Sequence, residues 1–155
     1  MKSSAIASVK NVNYLLNAKM AALAKQRGGF LGLWVDNDGF VTEGSVNNFA
    51  IVKNDKSKLH EVPAFITPPF EGILPGCTMQ HMFEILSASG CAKLVQRKIT
   101  LSELYEADEV LITGGDTHIF GVSHVDGQPI NEAQLGYITQ FLISQVHKQP
   151  SNILL

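Results

Sequence analysis

Basic clusters, paired cysteines and long apolar runs are all scarce in this sequence, and each shortage removes a class of function. The 12 Lys and Arg against 14 Asp and Glu leave a formal net charge of -2. The basic residues form no stripe, so the electrostatic footprint of a nucleic-acid binder or an anionic-membrane binder is missing. Cys77 and Cys91 are the 2 cysteines, and they fall outside any Cys-x-x-Cys arrangement. That argues against a zinc ribbon, a thioredoxin-like motif or a disulfide framework. A reducing compartment, the cytoplasm, is the expectation. No apolar run approaches the roughly 20 residues of a membrane span, and the opening Met-Lys-Ser-Ser-Ala-Ile-Ala-Ser-Val holds too short an apolar stretch for a signal peptide. From Met1 to Val35 there are four Lys, one Arg and no acid. That is also the composition of a transit peptide, so an organellar address stays open beside the reading of the stretch as a folded helix. Charge itself is lean, at 17% of residues against a usual share of about 25%, and part of the outer surface is expected to meet a partner.

What is present is enough for one domain. A chain of 155 residues that is 45% hydrophobic can build a core without disulfide or metal staples. Leu15, Leu16, Met20, Leu23 and Ala24 follow helical spacing within Asn13 to Gln26, and Gly28-Gly29 closes that helix. Phe30 to Val35, the turn Asp36-Asn37-Asp38-Gly39 and Phe40 to Thr42 read as a β-hairpin, with Asn47 to Lys53 as a further strand. The passage Pro63 to Pro69 reads as an irregular crossing, because its prolines lack backbone donors. Gly76 opens a second helix running through Thr78 to Ser87. Leu94 to Ile99 reads as a strand, and Thr100-Leu101-Ser102-Glu103 fits a capping box that starts a short helix. Glu109 to Thr113 and His118 to Val125 read as strands, Asp126-Gly127 as a turn, and Leu135 to His147 as a last amphipathic helix before a frayed tail. The expected class is α+β, strand-rich, with about three helices.

Few residues stand out chemically when taken singly. Lys10 precedes the first helix, where a lysine is ordinarily a solvated point charge. Glu43 lies in a largely apolar strand, an unexpected place for a carboxylate unless it faces water at the strand end. Gly76-Cys77-Thr78 precedes an apolar-periodic helix and could offer backbone N–H groups and a hydroxyl to a phosphate, although Gly before Thr is also an ordinary cap. The five histidines show no metal-ligand spacing, so no metal site is expected.

Taken in order, five blocks resemble the C-terminal domain of the fold type IV, or class IV, pyridoxal phosphate enzymes, the family of branched-chain and D-amino acid aminotransferases and aminodeoxychorismate lyase. They are Val9-Lys10-Asn11-Val12-Asn13-Tyr14-Leu15; Gly39 to Ser45 with Asn48; Ile73-Leu74-Pro75-Gly76-Cys77-Thr78; Ala107-Asp108-Glu109-Val110-Leu111-Ile112-Thr113-Gly114; and Val122 to Gly127. The Phe30 to Gly44 stretch looks most like the plant-type branch. The resemblance implies pyridoxal 5'-phosphate as cofactor and transfer of an amino group between an amino acid, of branched-chain or D type, and a 2-oxo acid. It makes Lys10 the lysine that bonds the cofactor and moves the proton, because an amine is needed beside the substrate α-carbon. It pairs Glu43 with the pyridine nitrogen and Tyr14 with the ring hydroxyl. It sets Gly76, Cys77 and Thr78 around the phosphate at a helix N-terminus, with Gly114 and Gly115 close to it.

The chain departs from the family pattern in four ways, one of them being Gly121 where a Pro usually precedes the residue matching Val122. Gly115-Asp116 stands where a Thr or Ser commonly gives the phosphate a second hydroxyl, and an acid there would repel it. Thr113, Thr117 or a bare Gly-Gly backbone are the alternatives at that spot. The arginine that usually follows the helix-start Thr is Met79. Only nine residues precede Lys10, where the family has a small N-terminal domain that supplies one wall of the pocket. A single domain spanning residues 1–155 without that small domain is therefore expected. It could be a shortened aminotransferase, a partner subunit or non-catalytic remnant, or a lyase of the aminodeoxychorismate type. A homodimer, or pairing with the missing small domain, is the implied assembly.

Overall fold

Four α-helices and ten strands form among the residues that the computed structural model describes, namely 8–10, 12–55, 57, 60–114 and 118–146. The first helix, α1 (Leu15–Gln26), is built from Leu, Ala, Lys, Met and Gln, residues that lose little freedom in a helix. It ends where Gly28 takes φ +77 and Gly29 N donates to Ala24 O at 2.8 Å. Only Asn17 and Met20 of this helix are buried. Met20 packs so close to Gly32 that a Cβ there would meet its Cγ at 2.7 Å.

The central sheet has five strands in the order β5-β4-β3-β7-β8, formed by β3 (Asn48–Lys53), β4 (Ala64–Thr67), β5 (Lys93–Gln96), β7 (Glu109–Gly114) and β8 (His118–Gly121). All neighbours are antiparallel except β4 and β5. Those two are joined by α2 (Cys77–Ser89), the helical crossover that a parallel pair needs. A smaller sheet, β1 (Leu33–Val35), β2 (Phe40–Gly44) and β6 (Ile99–Thr100), covers one face of the central sheet. Alternation along β3 sorts the core. Phe49 and Ile51 pack with Val41, Ile99 and Ile112 toward the small sheet. Ala50 and Val52 pack with Met82, Leu86 and Leu142 toward α2 and α4 (Tyr137–Val146). Period-2 alternation therefore puts Asn48, Glu109 and Thr113 on the helix-covered face. The remaining elements are the five-residue α3 (Leu101–Tyr105), the hairpin of β9 (His124–Val125) with β10 (Gln128–Pro129), turned by Asp126 and Gly127 at φ 48 and 81, and two short 3-10 turns, Phe70–Gly72 and Asn131–Ala133. No helix among the described residues is long and apolar enough to cross a membrane.

The α+β class is as expected, with four α-helices among the described residues in place of about three. The Pro63 to Pro69 passage is corrected: it holds β4, a buried interior strand. Its prolines bracket the strand, leaving the N–H groups from Ala64 to Thr67 free for pairing, while Pro63 O accepts from Lys93 N at 2.8 Å. Leu94 to Ile99 is two strands in different sheets, β5 and β6, and His118 to Val125 likewise divides into β8 and β9. His147 and the tail after it lie outside the described residues.

Candidate functional site

One cleft of about 550 Å³ gathers residues from four parts of the chain, a volume in the usual range for small-molecule sites. Lys10 stands at its edge, exposed, just ahead of α1, and Tyr14 is the residue from which α1 starts. Glu43 comes from β2 and is 5% exposed, so its carboxylate requires polar company. Leu74 N supplies part of it, donating to Glu43 Oε2 at 3.1 Å. The next peptide group is held as well, where Asn48 Nδ2 donates to Leu74 O at 2.8 Å. The loop leading into α2 is thus braced between β2 and β3. Gly76 follows in that loop, and a Cβ there would lie 2.1 Å from Asn48 Oδ1, so the close approach requires glycine. Cys77 and Thr78 then begin α2, whose N-terminus has no side-chain cap and no acid in its first turn.

The β2–β3 turn closes the floor. Gly44 N donates to Asn47 O at 2.7 Å, and Asn17 Nδ2 of α1 donates to Ser45 O. Thr113 and Gly114, at the end of β7, complete the lining. The structure therefore brings together Lys10, Tyr14, Glu43, Gly76, Cys77, Thr78 and Gly114. Gly115 lies outside the described residues, as do Asp116 and Thr117. Asn17 escaped the sequence reading as a site residue, and Thr113 entered it only as one alternative for a second hydroxyl beside the phosphate. Asn17 and Thr113 are 7% and 1% exposed, and Asn17 Oδ1 and Thr113 Oγ1 are buried without a hydrogen-bond partner among the described residues. The available signal for Asn17 was its place one turn after Asn13 on a helix otherwise rich in Leu and Ala.

A second cavity, about 160 Å³, lies at the start of α4. Its carboxylate is already committed: Glu109 accepts from Ile138 N at 3.0 Å, Thr139 N at 2.8 Å and Thr139 Oγ1 at 2.7 Å. The larger cleft is the one with an uncapped helix end on its wall.

A family model described as amino-transferase class IV matches residues 2–125, and the chain belongs to that family. The putative branched-chain-amino-acid aminotransferase of Methanocaldococcus jannaschii is 36% identical over 136 residues, covering 87% of this chain and 44% of that protein. The chloroplastic D-amino-acid transaminase of Arabidopsis thaliana is 33% identical over 147 residues, 92% of this chain and 38% of that protein. Among solved structures, the branched-chain aminotransferase of Thermoproteus uzoniensis with norvaline superposes with a TM-score of 0.82 at 31% identity, covering 95% of this chain and 46% of that one. A hypothetical aminotransferase from Mycobacterium tuberculosis in its PLP-bound form gives 0.80 at 25% identity, covering 92% and 47%. The chain spans less than half the length of these relatives.

Proposed function

We propose that this chain is the cofactor-binding portion of a pyridoxal 5'-phosphate-dependent aminotransferase, moving an amino group between an amino acid of branched-chain or D type and a 2-oxo acid. The observation that carries the reading is the convergence on one cleft of an amine, a buried carboxylate and an uncapped helix N-terminus. The residues fit the cofactor. Its phosphate matches a helix end with free N–H groups and no acid, and the glycine at Gly76 keeps the approach open. Its basic ring nitrogen matches the nearly buried carboxylate of Glu43.

Pyridoxal phosphate, when bound, supplies an electron sink for the charge left when the substrate α-carbon loses a proton. Lys10 Nζ would hold the cofactor and, as an amine beside the substrate α-carbon, would take that proton and return it. Glu43 would keep a proton on the pyridine nitrogen, and the loop N–H of Leu74 holds its carboxylate in place for this. The Tyr14 hydroxyl orients the ring. The N–H groups of Gly76, Cys77 and Thr78 would hold the phosphate, with Gly114 lining the same cleft; Gly115, the other glycine expected there, lies outside the described residues.

In this reading residues 1–155 form one domain equivalent to the family's C-terminal domain and work in the cytoplasm. A small domain or a second copy supplies the other wall. The exposed Leu15, Leu16 and Leu23 of α1 offer an apolar surface for such an assembly. The test is spectroscopic. Pyridoxal phosphate added to purified protein should give a near-ultraviolet to visible absorbance band that disappears in Lys10→Ala. A colourless protein, or a band indifferent to the substitution, overturns the assignment of Lys10. Branched-chain and D-amino acids with a 2-oxo acid acceptor should then exchange the amino group, and a coloured protein inert to the whole panel overturns the transferase reading.

A further inference from the structure

A hydroxyl with nothing to bond stands beside the open end of α2. Thr113 is 1% exposed, and its Oγ1 has no hydrogen-bond partner among the described residues. Its register partner across β3 and β7 is Asn48, and directly opposed residues of antiparallel strands project from the same face as close neighbours. Asn48 in turn presses on the lead-in to α2, its Oδ1 lying 2.1 Å from the position of a Cβ on Gly76. Thr113, Asn48 and Gly76 therefore form a row, and Thr113 and Gly76 both line the cleft. Leaving a buried hydroxyl unbonded costs free energy, and folded proteins seldom tolerate it without a use.

The other unpartnered atom in the cleft points to a different use. Asn17 has its amide N–H engaged with Ser45 O, and what remains is Oδ1, which can only accept. A carbonyl oxygen repels an anion, whereas a hydroxyl can donate to one. The unused donor is thus at the α2 end of the cleft, where no side chain caps the helix and no acid stands in the first turn.

We propose that the Thr113 hydroxyl donates a hydrogen bond to the anion held at the N-terminus of α2, giving that site a side-chain contact from the sheet in addition to its backbone contacts from the helix. The inference rests on the reading of the cleft as a pyridoxal phosphate site, in which the anion is the cofactor's phosphate.

The experiment compares the parent protein with Thr113→Val, which keeps the shape and removes the hydroxyl, and Thr113→Ser, which keeps the hydroxyl. Each is titrated with pyridoxal phosphate and, separately, with pyridoxal, which lacks the phosphate. Thr113→Val should weaken pyridoxal phosphate binding by about tenfold or more, leave pyridoxal binding unchanged, and raise the melting temperature of the ligand-free protein by removing an unbonded buried polar atom. Thr113→Ser should bind like the parent. Equal loss for both ligands, or no loss for either, overturns the assignment. A parent that binds neither ligand defeats the cofactor reading instead. The hydroxyl is then judged by inorganic phosphate in phosphorus NMR: binding present in the parent and lost in Thr113→Val sustains the anion contact, and any other result overturns it.

Discussion

Two helices cover the same face of the central sheet, and their N-termini are treated in opposite ways. At the start of α4 the carboxylate of Glu109 reaches up from β7 and takes three hydrogen bonds from Ile138 and Thr139. At the start of α2 no side chain caps the helix, and the space in front is the 550 Å³ cleft. Both ends begin with the same physical endowment, a set of orphan N–H groups and the equivalent of about half a positive charge. At α4 that endowment is consumed by an anion built into the fold and goes into stability. At α2 it is left for an anion from outside and goes into binding. Glycine serves each arrangement through close contact: a Cβ on Gly136 would lie 2.0 Å from Glu109 Cδ, and one on Gly76 would lie 2.1 Å from Asn48 Oδ1.

The comparison can be broken most severely at Glu109. Glu109→Leu strands three donors in a buried site, each worth about 1–3 kcal/mol when left unmade. Because such losses are not additive, a loss of at least about 3 kcal/mol in urea denaturation is expected. A cost below about 1 kcal/mol would mean that α4 does not depend on its internal anion. Alanine at the two glycines should separate the ends. Gly136→Ala should cost about 1–3 kcal/mol of stability by forcing the carboxylate aside. Gly76→Ala should fall chiefly on pyridoxal phosphate affinity, since it disturbs the Asn48 brace of the cleft loop; a loss of stability with affinity intact would contradict this. Thr78→Asp goes further and gives α2 the kind of anion that α4 already has. It should stabilise the ligand-free protein by about 0.3–1 kcal/mol while weakening phosphate binding about tenfold through like-charge repulsion. Movement of both quantities in the same direction would remove the distinction between the two ends.

How far these ends could be read from sequence depended on how far apart their partners lie. The capping box of α3 was legible because Thr100 and Glu103 are three residues apart, and both of its reciprocal hydrogen bonds form. The cap of α4 was not legible, since Glu109 precedes Thr139 by 30 residues and reads only as a strand residue. The same holds for β4, where Pro63 and Pro68 suggested irregular chain until the register showed that they only bracket the paired residues. Lys10, Glu43 and Gly76 to Thr78 were ordinary residues one by one. Their ordered resemblance to a family selected them, and the fold shows them on one cleft. Thr113 was legible only as one alternative beside Thr117 for a second phosphate hydroxyl, because its register with Asn48 and its missing partner are not properties of neighbouring letters.

The third helix gives the smallest and most specific test. The N-terminus of α3 is neutralised by its own first turn, through Glu103, which accepts from Arg97 Nη2 at 2.7 Å and Thr100 N at 3.0 Å. The Arg97 hydrogen bond, opposed by burial and helped by the Thr100 N–H, holds the Glu103 carboxyl down at about 2 against an ordinary 4.5. A carboxyl lowered in the folded state favours folding while it is ionised in both states. Its contribution is therefore complete above about pH 4.5 and is lost as the pH falls toward about 2. Arg97 is 41% exposed, so water screens the pair, and about 1 kcal/mol is the expected size. Glu103→Gln should accordingly cost about 1 kcal/mol at neutral pH and progressively less below pH 4.5. Denaturation midpoints of parent and variant measured from pH 7 to pH 3 should converge at the acid end. Parallel curves would show that the cap acts through its hydrogen bonds alone and that its charge contributes nothing, which would set it apart from Glu109 at the start of α4.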